Sequence, residues 1–458
     1  MSTPVLVSVI LVLYAVLMVV ISRAARKRNK NFRDKISAAG QTTLVMLVGS
    51  AVGGQIGSGF VVGGAEHGAT YGIGGAWYGI ACGLAYVVIG LALSRFVRRN
   101  HYISLSDYFT QRYEGRAPRL ISSVATICGC LAALASQLLA GRSIFLTVGI
   151  PANWGVVLTA AISLVYANAA GLWGAMAVSS IQSVVIFTGM LTALVTMLAN
   201  PEAVALVQAL PADYFQIQPY EPEAFAALVF PTMLAPLVYQ GIFQSIASAK
   251  DERTATRGYI LAGILLIPIA LIPPILGLFG RAIFPELSAA EVFMELLLTR
   301  LPTAIAAVIL AAIVCSVVCA CNSSYISVAT NFVHDIYQGM IDPQADEKTC
   351  KRLMMVSNLV ICIVGVLLAL RMKDIIQLLA MGYSLLTAGC LVPFMGGRLW
   401  KKGTAKGALS AAFVGMGACL ASNLGLIYLP YSSITSVLLS LAAFVIGSLL
   451  TQPKVETT

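Results

Sequence analysis

The chain consists of long apolar runs separated by short polar or charged segments. A run of about 20 apolar residues is long enough to cross a bilayer as a helix. The runs lack the alternating polarity of a membrane β-barrel. They predict thirteen spans, at residues 3–22, 41–69, 71–96, 118–147, 152–170, 171–198, 224–247, 256–280, 301–334, 353–370, 375–397, 405–425 and 430–450. The pattern therefore predicts an all-α polytopic membrane protein.

Composition supports this prediction and excludes a large soluble core. The chain is 59% hydrophobic and 10% charged, whereas soluble domains carry about 25% charged residues. No small-residue cleavage site follows the first apolar run, so we interpret that run as a retained span and not as a signal peptide.

The Lys and Arg residues behind the net charge of +10 are spread unevenly among the loops, and this pattern indicates the membrane topology. Lys and Arg concentrate in the loops 23–40, 95–119 and 398–406, while the loop 199–223 has acids and no base. Because basic loops stay in the cytoplasm, we expect the N-terminus outside and the C-terminus inside a plasma (inner) membrane. Contact with anionic lipid is a secondary use of the same charge.

The second predicted span contains an unusual stretch, "GSAVGGQIGSGFVVGGAEHG" (49–68). Clustered glycines allow either close helix packing, as in G-x-x-x-G pairs, or unwinding of the helix. Packing alone does not require Gln55 or Glu66, whereas an unwound helix frees backbone carbonyls that can bind a cation.

Two charged side chains, Glu66 and Arg142, fall more than two residues inside the ends of the predicted spans. Charges at membrane depth are functional candidates, although both could extend to the headgroups from the outer half of their spans. Span nine adds Ser316 and "NSS" (322–324), whose hydroxyls either complete a cation site or bond back to carbonyls one turn earlier. We interpret the ten cysteines as packing residues, because their spacing and the three histidines do not suit a metal site.

Five segments together resemble the sodium:solute symporter family. These are "GGAEHGATYGIGG" (63–75), "SLSDYFTQRYEGR" (104–116), "GLWGAMAVSSIQ" (171–182), "QGIFQSIASAKDERTATRG" (240–258) and "LLTAGCLVPFMGGRLWKKGTAKGAL" (385–409). They follow the order of the family's motifs, and the resemblance covers most of the chain, from about residue 40 to residue 410.

The resemblance implies a LeuT-like fold with two five-helix inverted repeats. We expect an extra N-terminal helix and basic loop in 1–40, the first repeat in 41–198, an extracellular loop in 199–223, the second repeat in 224–397, and two C-terminal helices with a short tail in 398–458.

The resemblance also implies a sodium site between the first broken helix and the eighth core helix. Its predicted contributors are the carbonyls of Gly53, Ile56 and Ala312, the hydroxyl of Ser316, and Cys315. Cys315 stands where the family usually has a second hydroxyl, and sulfur suits a hard cation poorly. Ser179 stands where some members place an Asp for a second ion, so we expect one sodium ion per cycle.

Substrate residues are expected on the broken helices and their neighbours. The candidates are Gln55, Gln137, Arg142, Tyr239, Gln240, Tyr383 and Ser384, with Glu66 as a further candidate. Pro236 could help to break span seven. Arg142, if it faces the cavity, would favour a solute that bears a carboxylate.

The leading hypothesis is sodium-coupled uptake of a small organic solute by alternating access. A proton-coupled transporter of the same fold would need a titratable group at the site, for which Glu66 is the candidate. A channel or sensor on the same fold is a further alternative. We expect no enzyme, because Ser58 and His67 lie too far apart on one helix to act as nucleophile and base.

Overall fold

The structure, a computed structural model, describes residues 32–57, 59–146, 149–372 and 375–452, together with Val16, Val20 and Ile21. The predicted first span and Ser58 therefore lie largely or wholly outside the described residues. The regular elements within these ranges are helices, which confirms the predicted all-α class.

Ten α-helices form the first half of the described chain. They are α1 (Phe32–Ser37), α2 (Leu44–Gln55), α3 (Gly64–Tyr71), α4 (Trp77–Val88), α5 (Ser94–Arg99), α6 (Leu105–Tyr113), α7 (Arg116–Leu146), α8 (Ala152–Leu198), α9 (Pro201–Gln208) and α10 (Pro222–Leu234).

Ten more α-helices follow. They are α11 (Gln240–Ser248), α12 (Glu252–Ile269), α13 (Ile272–Ile283), α14 (Ala289–Arg300), α15 (Thr303–Ala329), α16 (Glu347–Arg371), α17 (Ile375–Leu386), α18 (Val392–Leu399), α19 (Ala405–Asn423) and α20 (Ser432–Leu450).

Short π-helical and 3-10 segments join several of these helices. The π-helical segments are Gly59–Gly63, Ile89–Leu93, Thr330–Ile341 and Thr387–Leu391, and the 3-10 segments include Gly72–Ala76 and Ala235–Leu237. Such segments often mark functional sites or changes of direction within a helix.

Within the described ranges, nine helices are long and apolar enough to cross a bilayer, or ten if the bent pair Pro222–Leu237 and Gln240–Ser248 is one span. Two shorter apolar helices, Leu44–Gln55 and Ala152–Asn168, occupy predicted spans two and five. The chain is therefore an integral membrane protein, while the count of thirteen spans stays a prediction.

Several boundaries differ from the predicted ones for local reasons. Spans five and six run together as α8, which is broken at Gly171, where the φ of 64° is left-handed. The helix α14 was not expected, because its residues are mixed polar and apolar and it lies between two apolar runs. Span nine continues past its predicted end as the π-helical segment Thr330–Ile341.

The outward faces of the helices are apolar, as a bilayer requires. Val165 on α8, Phe413 on α19 and Leu450 at the end of α20 are among the exposed large hydrophobic residues. In water such a surface would mark an association site, whereas in lipid it is solvated by hydrocarbon.

The helix α2 packs closely against α8 and is hydrogen-bonded to the end of α11. Its face at Gly49 and Gly53 lies against α8, where a Cβ on Gly53 would stand 2.0 Å from the Ser179 carbonyl oxygen. Two backbone hydrogen bonds also connect the start of α2 to the end of α11: Thr42 N–H donates to the Ser248 carbonyl at 2.9 Å, and Lys250 N–H to the Thr42 carbonyl at 3.0 Å. The two helices are therefore joined at one end.

Candidate functional site: a central cavity between two broken helices

The first break follows α2. The helix ends at Gln55, and the Gly57 N–H donates to the Gln55 carbonyl at 2.7 Å. In a continuous helix that N–H would bond the Gly53 carbonyl. The chain becomes helical again at Gly59, with the Val61 N–H bonded to the Gly57 carbonyl at 3.0 Å. The break therefore takes the Gly57 N–H away from the Gly53 carbonyl. The Gly53 carbonyl is one of the sodium ligands predicted from the sequence.

The second break lies in span seven. The 3-10 segment Ala235–Leu237 contains Pro236 and ends two residues before Tyr239, and the flanking helices bend by 42°. The helix α11 then begins without a side-chain cap. Its Ile242 N–H returns to the Tyr239 carbonyl at 3.0 Å. A helix start of this kind carries partial positive charge and suits an anionic group.

A cavity of about 140 Å³ lies between the two breaks. Four predicted substrate residues line it: Gln55, Gln137, Tyr239 and Tyr383. The rings of Tyr239 and Tyr383 meet edge to face, with centroids 6.1 Å apart. The lining residues include amides, phenols and hydroxyls but no Asp, Glu, Lys or Arg among the described residues. The described lining therefore offers mainly neutral hydrogen-bonding groups.

Gln55 is held in position by α4. Its amide nitrogen donates to Cys82 Sγ at 2.8 Å, and its amide oxygen accepts from the Tyr86 hydroxyl at 3.2 Å. Gly54, the preceding residue, also lines the cavity, and a Cβ there would meet no atom within 4 Å. The end of α2 thus presents one fixed amide and one open position to the cavity.

Four other candidates lie elsewhere. Gln240 is fully buried, and its amide bonds the backbone of the loop before α6, at the Ile103 carbonyl (3.1 Å) and the Leu105 N–H (3.4 Å). Ser384 is buried outside the lining residues. Arg142 and Glu66 are half-buried near the ends of their helices and are likewise absent from the described lining.

The predicted sodium residues lie on neighbouring helices. The helices α2 and α15 are in contact, and Ala312, Cys315 and Ser316 are all buried on α15. The Ser316 hydroxyl donates to the Ile313 carbonyl at 2.8 Å, which leaves its oxygen lone pairs able to face a cation. Hydroxyl and carbonyl oxygens are suitable ligands for a hard ion, whereas the Cys315 sulfur is a poor one.

Some lining residues were not predicted from the sequence. Tyr78 and Tyr86 project from α4, and Ser245 projects from α11. Ser179, which sequence excluded from a second ion site, also lines the cavity. The signal for Tyr78 and Tyr86 was present in the sequence, as two polar tips on one apolar span separated by about two helical turns.

A layer of buried polar contacts lies on the side of the basic loop 95–119. Gln244, which lines the cavity, donates to the Thr330 hydroxyl at 2.6 Å and accepts from Ser327 at 3.0 Å. Nearer the loop, burial opposes ionisation of Asp107. Hydrogen bonds from His334 and from nearby backbone amides outweigh that effect and lower its pKa. These contacts connect the cavity wall to the loop.

Fold and site together define a helical membrane transporter with broken helices around a central cavity. The chain belongs to the sodium:solute symporter family, whose sequence profile matches residues 36–415. This confirms the resemblance drawn from the motifs. Membership supports sodium-coupled symport, with sodium as the coupling ion.

Similar proteins of known activity include two bacterial symporters and an animal transporter. The chain is 26% identical over 390 residues to a sodium/pantothenate symporter of Haemophilus influenzae, covering 82% of this chain and 80% of that protein. It is 26% identical over 384 residues to the sodium/pantothenate symporter of Escherichia coli (80% and 78% covered). It is 22% identical over 405 residues to a high-affinity choline transporter of Caenorhabditis elegans (80% and 69% covered).

Solved structures show the same fold. A substrate-bound, outward-open Na⁺-coupled sialic acid symporter superposes with a TM-score of 0.82 at 18% identity, covering 98% of both chains. MhsT in complex with L-phenylalanine gives a TM-score of 0.54 at 12% identity, over 89% of this chain and 98% of that one. At these identities the likeness concerns the fold alone.

Proposed function

We propose that the protein takes up a small, carboxylate-bearing organic solute together with sodium, by alternating access. The observation that carries this proposal is the central cavity, which lies between the end of α2 and the start of α11. A helix end supplies carbonyl oxygens for a cation, and a helix start supplies N–H donors for an anion. The two breaks thus offer complementary sites for Na⁺ and a carboxylate.

The sodium ion would bind beside the first break. The proposed ligands are the carbonyls of Gly53, Ile56 and Ala312 and the hydroxyl of Ser316, with Cys315 as a weak neighbour. The diverted Gly57 N–H supports this choice, because it leaves the Gly53 carbonyl without its usual helical donor. Ser179 in place of a carboxylate favours a single sodium ion per cycle.

The solute would bind between Gln55, Gln137, Tyr239 and Tyr383. Its carboxylate would face the uncapped start of α11 near Gly241, which lines the cavity. This replaces the role first considered for Arg142, because the described cavity lining does not include that residue. The bacterial relatives named for sodium and pantothenate support a carboxylate solute.

The transport cycle would follow from the arrangement of two repeats, residues 41–198 and 224–397, around the cavity. Each repeat would contribute one broken helix, and rocking of one helix group against the other would open the cavity to alternate sides. The basic loops would lie in the cytoplasm, with the C-terminus on the same side. The proton-coupled alternative is less favoured, because Glu66 is absent from the described cavity lining.

A paired-solute uptake assay tests the carboxylate. Purified protein in proteoliposomes would be given labelled monocarboxylates and their primary amides, under an inward sodium gradient. We expect sodium-driven accumulation of at least one acid and weak transport of its amide, since the amide loses the charge that α11 attracts. Equal transport of acid and amide would contradict the carboxylate proposal but leave sodium symport intact.

A further inference from the structure

A group of three potential metal ligands lies away from the central cavity, where α6 meets the π-helical segment Thr330–Ile341. The ligand atoms of Asp107, His334 and Asp335 all lie within 4.8 Å of one another. His334 Nε2 is 3.3 Å from Asp107 Oδ1 and 4.0 Å from Asp335 Oδ1. Ligands of a tetrahedral zinc ion, each about 2.1 Å from the metal, stand roughly 3.4 Å apart. The spacing suits a shared ion, which would replace the hydrogen bond between His334 Nε2 and Asp107 Oδ1.

One oxygen of the group lacks a partner. Asp335 is fully buried, and its Oδ1 accepts from the Ser104 hydroxyl at 2.7 Å. Its Oδ2 is buried without a hydrogen-bond donor in the part of the chain that the structure describes. A buried carboxylate oxygen in that condition is costly unless a proton or a cation satisfies it. This second observation is independent of the spacing and points to a ligand.

The neighbouring guanidinium of Arg119 does not satisfy that oxygen. Its Nη2 donates to the His334 carbonyl at 3.3 Å and its Nη1 to the Gly339 carbonyl at 3.4 Å. The positive charge is thus directed at the backbone of the π-helical segment. It lowers the affinity of the group for any cation without occupying the carboxylates.

The group has an open approach. Asp107 and His334 line a surface pocket of about 570 Å³, with side chains 24% and 28% exposed. Gln111, Gln338 and Glu347 line the same pocket and add further oxygen atoms. An ion could therefore enter from solvent on the side of the basic loop 95–119 and keep a water molecule as a further ligand.

We propose that Asp107, His334 and Asp335 form a binding site for a divalent transition-metal ion of the zinc class. An imidazole with two carboxylates suits Zn²⁺ and its neighbours, whereas Mg²⁺ and Ca²⁺ prefer oxygen ligands alone. A bound ion would connect α6 to the end of the long helix that begins as α15. The loop before α6 also holds Gln240, so the same ion would stiffen a contact to the second broken helix. This site is distinct from the sodium and solute sites and does not depend on them.

Equilibrium binding tests the site directly. The full-length protein, purified in detergent without a polyhistidine tag, would be titrated with Zn²⁺, and with Mg²⁺ for comparison. We expect saturable binding of Zn²⁺ and not of Mg²⁺. His334→Ala and Asp107→Asn should each weaken Zn²⁺ binding about tenfold or more, as loss of a metal-site group does. His101→Ala is the matched control, because His101 is exposed and lines the same pocket.

The outcomes separate the proposal from binding elsewhere. Unchanged Zn²⁺ affinity in His334→Ala, or loss of affinity in His101→Ala alone, would overturn it, as would wild-type protein that binds no Zn²⁺. X-ray absorption of the Zn²⁺-loaded wild-type protein gives a check that needs no variant. An imidazole and oxygen shell supports the site, and a sulfur shell, which would indicate the cysteines, refutes it.

Discussion

The adjacent glycines Gly53 and Gly54 of α2 face different surroundings, so substitutions at the two positions should have different effects. A Cβ on Gly53 would stand 2.0 Å from the Ser179 carbonyl oxygen, against α8. A Cβ on Gly54 would meet no atom within 4 Å and would enter the cavity. Gly53→Ala should therefore disturb helix packing, whereas Gly54→Leu should obstruct solute binding with little effect on folding.

The sizes of the two effects follow from the local space. Overpacking costs about 1–3 kcal/mol. At Gly53 the new Cβ would meet the backbone carbonyl of Ser179. The packing cost of Gly53→Ala should therefore exceed the roughly 1 kcal/mol that alanine gains over glycine in helix propensity. Leucine at Gly54 adds four carbon atoms to a cavity of about 140 Å³. These atoms would occupy space beside Gln55 that a bound solute needs.

Two measurements on each variant separate these effects. Thermal stability in detergent reports packing, and sodium-driven uptake into proteoliposomes reports the cavity. We expect Gly53→Ala to melt at a lower temperature. Gly54→Leu should melt close to wild type while losing at least about tenfold in uptake at low solute concentration, which corresponds to about 1.4 kcal/mol of binding. Gly54→Ala is the mild control.

Either of two results would contradict these expectations. Gly54→Leu that transports at the wild-type rate would show that the space at Gly54 is not used by the solute. Gly53→Ala that folds with unchanged stability would show that the close contact between α2 and α8 is not a constraint.

Three further predictions concern the ion site, the cavity amide and the loop. Cys315→Ser should raise the apparent affinity for sodium, and Ser316→Ala should lower it, because oxygen suits the ion better than sulfur or carbon. Uptake measured as a function of sodium concentration gives both affinities, and affinities that move the opposite way would exclude these residues from the sodium site. Gln55→Leu should raise the solute KM with less effect on sodium affinity, because its amide is held towards the cavity by Tyr86; an unchanged KM would count against Gln55 as a solute ligand. Ser104→Ala removes the capping bond from the Asp107 N–H at 3.1 Å and the hydrogen bond to Asp335 Oδ1 at 2.7 Å. Loss of the cap alone should cost about 0.5–2 kcal/mol, so the variant should melt at a lower temperature; equal stability would show that neither bond contributes.

The sequence predicted the positions of most helices because membrane burial imposes a simple pattern. A run such as 405–425 must be helical to satisfy its backbone in lipid, and α19 lies there. Glycines around Gln55 also predicted where the second span would weaken, and α2 ends at that residue. The helix α14 was missed, since it has no long apolar run to reveal it.

The site was harder to predict, because the direction of each side chain depends on packing between distant segments. Tyr239 and Gln240 are adjacent candidates in the sequence, yet the start of α11 turns Tyr239 to the cavity and Gln240 to the loop before α6. Arg142 was considered as a solute ligand from its charge alone, and its position near the end of α7 leaves it outside the described lining. Ser323 and Tyr78 became lining residues only once α15 and α4 were placed beside the breaks.

Solute-driven entry of sodium is the most direct test of sodium-coupled transport by this protein. Proteoliposomes containing the purified protein would be given radioactive sodium with and without an inward gradient of the transported acid, at fixed membrane voltage. We expect the acid to drive sodium uphill, Ser316→Ala to weaken this coupling, and Gly54→Leu to abolish it. Movement of the acid without any movement of sodium would contradict sodium-coupled transport by this protein.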